Sequence, residues 1–423
     1  MISMKRLYEF AKVAFIAVLI HHVLLEPYMV KTSFFDFLIS DKQISKGNST
    51  ENNQSNLFQL NASCQNKSGN HCFRKPINSN SSVVDDLHSW RNSKGNNNSV
   101  DDHLPDIRLV RKMFLQGFDE SGLPFPPPIA RNSCTIEETS MKEMEDTKYL
   151  IDGVPIRAVN DSNINTTIVC LIYTVEEAHS SRVKAIRESW AGMCDGFLAF
   201  STKSDFSIPS ISIPHNGNET YWNMWQKVRS IWKFVATQYL HEFDYFLIGG
   251  DDIFVILQNL RLYLSNLNGT SNDHHFVGRR FRKPGTNYYF YSGGSGYVIS
   301  RGTLKTFLDK GYSSCHVDAE SSEEDVLFAD CLEKIASIGV IDTSDEQRRE
   351  RFHPFSPQTH LLWRPESPLN YGWYKEYSSD WGLQYGLNCC SPESISFHYI
   401  SNPVMMSHLY CLIYDTRHKI ENS

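Results

Sequence analysis

The chain has 423 residues, 41% of them hydrophobic and 13% aromatic, with 8 Trp and 20 Tyr, and it carries a net charge of −7. A chain of this length can bury a large core, and its acidic balance lacks the basic footprint of a nucleic-acid binder. The basic stretches "GRRFRKPG" and "EQRRERFHP" are short and mixed with other residue types, so no nucleic-acid polymer is expected as a partner.

At the N-terminus, Lys5 and Arg6 precede an apolar run from Val13 to Leu25 that is broken only by His21 and His22. Positive residues ahead of such a run favour a cytoplasmic N-terminus, and no A-x-A-like cleavage site follows. The expectation is a cytoplasmic tail over residues 1–9 and an uncleaved signal anchor over residues 10–30, with Lys12 snorkelling. A span of about 20 residues then fits the bilayer. The remainder would enter the secretory pathway as the luminal part of a single-pass type II membrane protein.

Residues 31–160 read as a glycosylated, largely disordered stem. Asn, Ser, Asp and Lys dominate up to about Arg131, and N-x-[ST] sequons at Asn48, Asn53, Asn61, Asn66, Asn80 and Asn97 crowd this stretch. Little apolar surface is available there to offset chain entropy. "GLPFPPPIAR" is a stiff break, and "CTIEETSMKEMEDTKYLIDG" reads as a short helix or a cap next to the stem. Further sequons stand at Asn160, Asn165, Asn218 and Asn268. The chain has 10 cysteines, an even number, without C-x-x-C spacing, which in an oxidising lumen favours disulfides over zinc. Their connectivity is left open.

From residue 161 the texture changes to that of a folded domain. "TTIVCLIYT" is a β-branched run suited to a buried parallel strand. "SSRVKAIRESWAGMC" reads as a Ser-capped helix and "GFLAFST" as a second strand. "ETYWNMWQKVRSIWKFVATQYL" spaces Trp225, Val228, Trp232, Val235 and Tyr239 as one helical face. "FDYFLIGGDD" is a third strand ending in acids. Strand, helix, strand, helix, strand predicts an α/β fold with a doubly wound sheet.

Five stretches could carry chemistry, and each has a plainer alternative. Asp251 and Asp252 end the third strand, where open α/β sheets bind ligands; they offer hard oxygen ligands for Mn²⁺ or Mg²⁺, or they form an exposed turn. "FYSGGSGYVISRGTLKTFL" places Gly293, Gly294 and Gly296 before a strand and a Ser300-capped helix, allowing close backbone approach to a ligand or simply a tight turn. "SSEEDVLFADCLEKIASIGV" opens a helix with acids. There Ser321 with Glu324, or Ser322 with Asp325, would form a capping box, while one carboxylate could serve as a general base. In "CCSPESISFHYISNP", His398 is either an imidazole ligand or a satisfied strand residue. The aromatic stretch with Trp363, Tyr371, Trp373, Tyr374 and Trp381 either faces a sugar or fills a core.

The order of these stretches resembles the core-1 β1,3-galactosyltransferase branch of glycosyltransferase family 31. The likeness runs from about Thr167 to Ile400 and includes "VKAIRESW", "NLR", "SGGSGYVIS", "EEDV", "ERFHPF" and "CCSPESISFHY". It implies a Golgi or ER–Golgi membrane protein with a luminal catalytic domain of GT-A (nucleotide-diphospho-sugar transferase, Rossmann-like) fold over residues 161–423. The implied reaction is an inverting, metal-dependent transfer of galactose from UDP-galactose to O-linked N-acetylgalactosamine on glycoproteins, and a homodimer is implied as plausible. By the same likeness Asp252 and His398 hold Mn²⁺ or Mg²⁺, and Asp251 belongs to the cofactor site. Asp325 is the base, Gly293 and Gly294 line the donor pocket, and Trp373, Tyr374 and Trp381 lie on the acceptor side. Where the family has three consecutive Asp, Gly250 takes the first place, and Pro392 follows "CCS" where the enzymes carry Asp. These departures keep two rivals open: a non-catalytic relative acting as the enzyme's chaperone, and a family transferase with another donor or acceptor.

Overall fold

The computed structural model describes residues 142–205, 207–366 and 372–414. The tail, the signal anchor and most of the stem lie outside the described residues. Among the described residues, no helix is long and apolar enough to cross a membrane.

Helix α1 (Lys142–Gly153) leads into strand β1 (Ile168–Tyr173). Helix α2 (Lys184–Glu188), flanked by a π turn and a 3₁₀ turn, connects it to β2 (Gly196–Ser201) and β3 (Ser210–Ser212). The long helix α3 (Met224–Tyr239) precedes β4 (Tyr245–Gly250), β5 (Phe254–Val255) and α4 (Leu257–Ser265). Strands β6 (Phe276–Gly278), β7 (Arg280–Arg282), β8 (Tyr289–Tyr291) and β9 (Tyr297–Ser300) follow, then α5 (Arg301–Thr306) and α6 (Glu324–Ala336). The last elements are β10 (Phe352–His353), α7 (Pro357–Leu362), α8 (Gly372–Tyr377), β11 (Ser396–Phe397) and α9 (Pro403–Tyr414).

The main sheet has the order β3-β2-β1-β4-β9-β6. Strands β3, β2, β1 and β4 run parallel, while β9 is antiparallel to both β4 and β6. The expected doubly wound sheet is therefore mixed at one side. The period of two in the strands decides which core each side chain joins. Ile168, Cys170 and Ile172 of β1, with Tyr245 and Leu247 of β4, face a core that includes α1, α4 and α9. Val169 and Leu171, with Phe246 and Ile248, face a second core built on α3 and α6. Covering on both faces explains why these strands are apolar throughout.

Helix α3 turns Trp225, Val228, Trp232, Val235 and Tyr239 into the second core, as their spacing predicts. Ser300 caps α5 by accepting from the Thr303 N–H, also as expected. The helix expected over "SSRVKAIRESWAGMC" is instead a π turn, a short α-helix and a 3₁₀ turn in succession, without a side-chain cap. Packed structure also begins before residue 161, because α1 buries Met144, Thr147, Leu150 and Ile151. The cysteines form disulfides Cys170–Cys194, Cys315–Cys331 and Cys389–Cys390. Cys411 is disulfide-bonded as well.

Candidate active site

Strand β4 delivers Asp251 and Asp252 to the carboxyl end of the parallel strands. They do not form an exposed turn, since their side chains are only 12% and 23% exposed. Two adjacent carboxylates avoid mutual repulsion by facing different partners. Arg182, from the π turn after β1, donates from Nε to Asp251 Oδ1 at 2.7 Å and from a terminal nitrogen to Oδ2 at 3.1 Å. Thr174 Oγ1 adds a bond to Oδ2 at 2.5 Å. Such a forked pair fixes the carboxylate in direction as well as in charge.

Asp252 faces His398, with Oδ1 lying 3.4 Å from Nε2. Burial raises the Asp252 pKa, but the hydrogen bond and charge of His398, followed by the Arg182 charge, outweigh it and hold the carboxyl below its ordinary range. Backbone ties fix the pair: the Ile400 N–H donates to the Asp252 carbonyl at 2.8 Å and the His398 N–H to the His353 carbonyl at 3.2 Å. His398 Nδ1 lies 3.2 Å from the Pro354 carbonyl oxygen. A carbonyl only accepts, so Nδ1 carries a proton, which leaves Nε2 either to donate to Asp252 or, in the neutral ring, to ligate a cation held between the two. An imidazole nitrogen beside a hard carboxylate oxygen fits a divalent cation of the Mn²⁺ type better than the all-oxygen preference of Mg²⁺.

The glycine loop between β8 and β9 runs between these groups and α6. A Cβ on Gly294 would stand 2.4 Å from His398 Cε1, and one on Gly293 would stand 2.5 Å from Glu324 Oε1. Only glycine leaves room for both contacts. The Gly293 N–H donates to Asp325 Oδ2 at 2.7 Å and the Val326 N–H donates to Asp325 Oδ1 at 2.8 Å. Neither capping box forms, because Glu323 is the N-cap of α6 and makes no side-chain cap bond. Burial pushes the Asp325 pKa up to about 6 against the pull of those two N–H groups, and the Glu323 charge adds to the rise. Glu324 is buried beside it, and desolvation and then the Asp325 charge push its pKa well up, although Tyr297 donates to Oε2 at 2.9 Å. One acid is thus pushed toward its neutral form while its neighbour titrates near the working range of a general base.

The aromatic residues pack as follows. Tyr374 is 2% exposed, packed against Phe355 and Trp363, with the Arg279 guanidinium 5.5 Å from its ring centroid. Trp373 packs on Phe281 and Phe355. Trp381 lies under the Arg280 guanidinium, 4.0 Å from the ring centroid. It lines a cavity of about 610 Å³ with Tyr289 and Asp380, and Asp251, Asp252, Asp325 and His398 are not among the residues lining it. Sequence reasoning missed Arg182, Thr174 and Tyr173, which reach the acids from the end of β1. It also missed Tyr221, whose ring is largely exposed while partial desolvation of its phenol end and then the charges of Asp325, Glu324 and Asp252 raise its pKa. "VKAIRESW" and "TTIVCLIYT" contain or adjoin three of these positions, but nothing local marks them as partners of the acids.

A second cluster brings ligand atoms of His353, His360 and Cys390 within 4.8 Å of one another. It is not a cation site, because Cys390 is bonded to Cys389 and offers no thiolate. Burial drives both imidazoles to the neutral form, with the Arg279 charge contributing in each case, and His360 is pushed down to about 3.

No protein-family profile matches the chain. A glycoprotein-N-acetylgalactosamine 3-beta-galactosyltransferase 1 from Xenopus laevis is 33% identical over 251 residues, covering 59% of this chain and 67% of that protein. That extent of identity places the chain in the core-1 β1,3-galactosyltransferase family of glycosyltransferases.

Proposed function

We propose that the chain is an inverting β1,3-galactosyltransferase of GT-A fold that moves galactose from UDP-galactose to the 3-hydroxyl of O-linked N-acetylgalactosamine on glycoproteins. The observation that carries this reading is one rim holding an Asp252–His398 pair and, across the Gly293–Gly294 backbone, an Asp325 carboxyl with its pKa pushed up to about 6. Asp252 and His398 would hold Mn²⁺, with Mg²⁺ as the alternative, and the bound cation would offset the negative charge of the departing diphosphate. Asp251, held by Arg182 and Thr174, keeps the end of β4 in place. The glycine loop lets the donor lie close to backbone.

Asp325 takes the proton from the acceptor hydroxyl as that oxygen bonds to C1 of galactose. The bond from C1 to the UDP oxygen breaks on the opposite face, which inverts the anomeric centre. Golgi membrane anchoring, glycoprotein acceptors and a possible homodimer belong to the same reading. Gly250 favours one rival, the non-catalytic chaperone, since it removes a carboxylate from the rim.

The test is a donor and acceptor panel with the purified chain and Mn²⁺. The expected result is galactose transfer to an N-acetylgalactosamine-bearing peptide, lost with chelator and reduced by at least about 100-fold in Asp252→Ala. Transfer that survives both chelator and this substitution would exclude the metal role. Turnover with no donor, together with binding to a partner transferase, would favour the chaperone.

A further inference from the structure

Strand register pairs Tyr173, the last residue of β1, with Gly250, the last residue of β4. Both lie on the sheet face covered by α3 and α6, where Tyr173 packs against the second core. A Cβ built on Gly250 would stand 3.0 Å from Asp252 Oδ1 and 3.4 and 3.9 Å from Tyr173 Cε2 and Cζ. Cζ bears the hydroxyl, so the polar end of the ring stands over Gly250. A carboxylate at residue 250 would project into that phenol or toward the Asp252 carboxylate. The space is therefore filled from the neighbouring strand.

We propose that Tyr173 is a donor-positioning residue of this site, its ring lying against the place that a side chain at residue 250 would take and its hydroxyl hydrogen-bonding an oxygen of the nucleotide-sugar donor. This rests on the transferase reading above and deepens it. A phenol can donate to a phosphate or sugar oxygen, whereas a carboxylate only accepts. It also leaves the rim one negative charge lighter, since Asp251 is already matched by Arg182. Gly250 and Tyr173 thus work as a pair, and neither substitutes well alone.

The experiment measures UDP binding by calorimetry in Mn²⁺ for the full chain and four variants, Tyr173→Phe, Tyr173→Ala, Gly250→Asp and Tyr173→Ala/Gly250→Asp, alongside transfer kinetics with UDP-galactose. Tyr173→Phe removes one oxygen and keeps the ring. It should raise the UDP dissociation constant, or the KM for the donor if the contact is to the sugar, by about tenfold, with kcat within about threefold. Gly250→Asp should weaken binding by about tenfold or more, because the new side chain meets both Tyr173 and Asp252. The double variant Tyr173→Ala/Gly250→Asp should bind UDP more tightly than Gly250→Asp alone, a coupling that independent sites do not show. If Tyr173→Phe leaves both constants unchanged and the double variant equals the product of the singles, Tyr173 only packs and the inference falls. A wild-type chain that binds no UDP overturns the transferase reading itself, and this inference with it. Tight wild-type binding with a silent Tyr173→Phe removes this inference alone.

Discussion

At the first turn of α6, Tyr297 donates to Glu324 while the backbone of the glycine loop donates to Asp325. These adjacent carboxyls divide the labour of the rim. Burial and then its neighbour's charge push the Glu324 pKa well up and favour its protonated form, so Glu324→Gln preserves its shape and most of its bonding. Transfer by that variant should stay within about threefold of wild type. Asp325→Asn removes the base and should lower kcat by about 100- to 10,000-fold, with UDP binding by calorimetry unchanged. Lost binding in Asp325→Asn would instead mark a structural role in holding Gly293. The raised Asp325 pKa fixes the direction of the pH effect. Its protonated, inactive form persists up to about pH 6, so kcat/KM should fall roughly tenfold per unit below that and level off above it. An acidic limb near the ordinary aspartate value would show that the base is more solvated than its position here allows.

At the scale of elements, the segments from β7 to α8 are held by a charge that their sequence does not advertise. Arg279 is fully buried, pairs with Glu350, donates to Ser378 Oγ at 3.1 Å and lies over the Phe281 ring. Removing one partner leaves the other charge buried and unmatched, which costs about 3–5 kcal/mol. Glu350→Gln should therefore lower the melting temperature by on the order of 10 °C. Arg279→Met/Glu350→Leu should recover most of that loss, since an apolar pair of similar volume is often neutral. A double variant no more stable than Glu350→Gln would mean that the Ser378 bond and ring contacts, not the charge balance, hold these elements. What was legible in the sequence follows the same division. Strands β1, β2 and β4 and helix α3 could be read because burial on a strand or a helical face imposes a short period. The order of the acids, the glycine loop and His398 could be read because each lies in its own compact stretch. The Arg182–Asp251 pair bridges 69 residues and leaves no periodic trace. Likewise, the capping box and the acceptor-side aromatics were equally good fits to local pattern. The approach of the glycine loop to α6 answered the first, and the packing of Tyr374 against Arg279 shows where that ring lies.

At the scale of the whole domain, the question is where the packed unit begins. A start at residue 161 takes β1 as the first element and leaves α1 in the stem. Yet α1 buries Met144, Leu150 and Ile151 in the core that lies under β1 and β4. Asp146 accepts from Gln358 of α7 at 3.0 Å, and the Met144 carbonyl lies 3.2 Å from His408 Nε2 of α9. The helix thus joins the strand-bearing core to α7 and α9. Three buried apolar side chains at about 1.5–3 kcal/mol each represent roughly 4–9 kcal/mol of burial, comparable with the whole stability of an ordinary domain. A soluble fragment beginning at residue 135 should fold and bind UDP, whereas one beginning at residue 161 should aggregate or melt far lower. In the full chain, Leu150→Ala/Ile151→Ala should lower the melting temperature while leaving UDP affinity at permissive temperature unchanged, because no residue of α1 touches the rim acids. Equal stability of the two fragments would move the boundary back to residue 161 and make α1 an accessory of the stem.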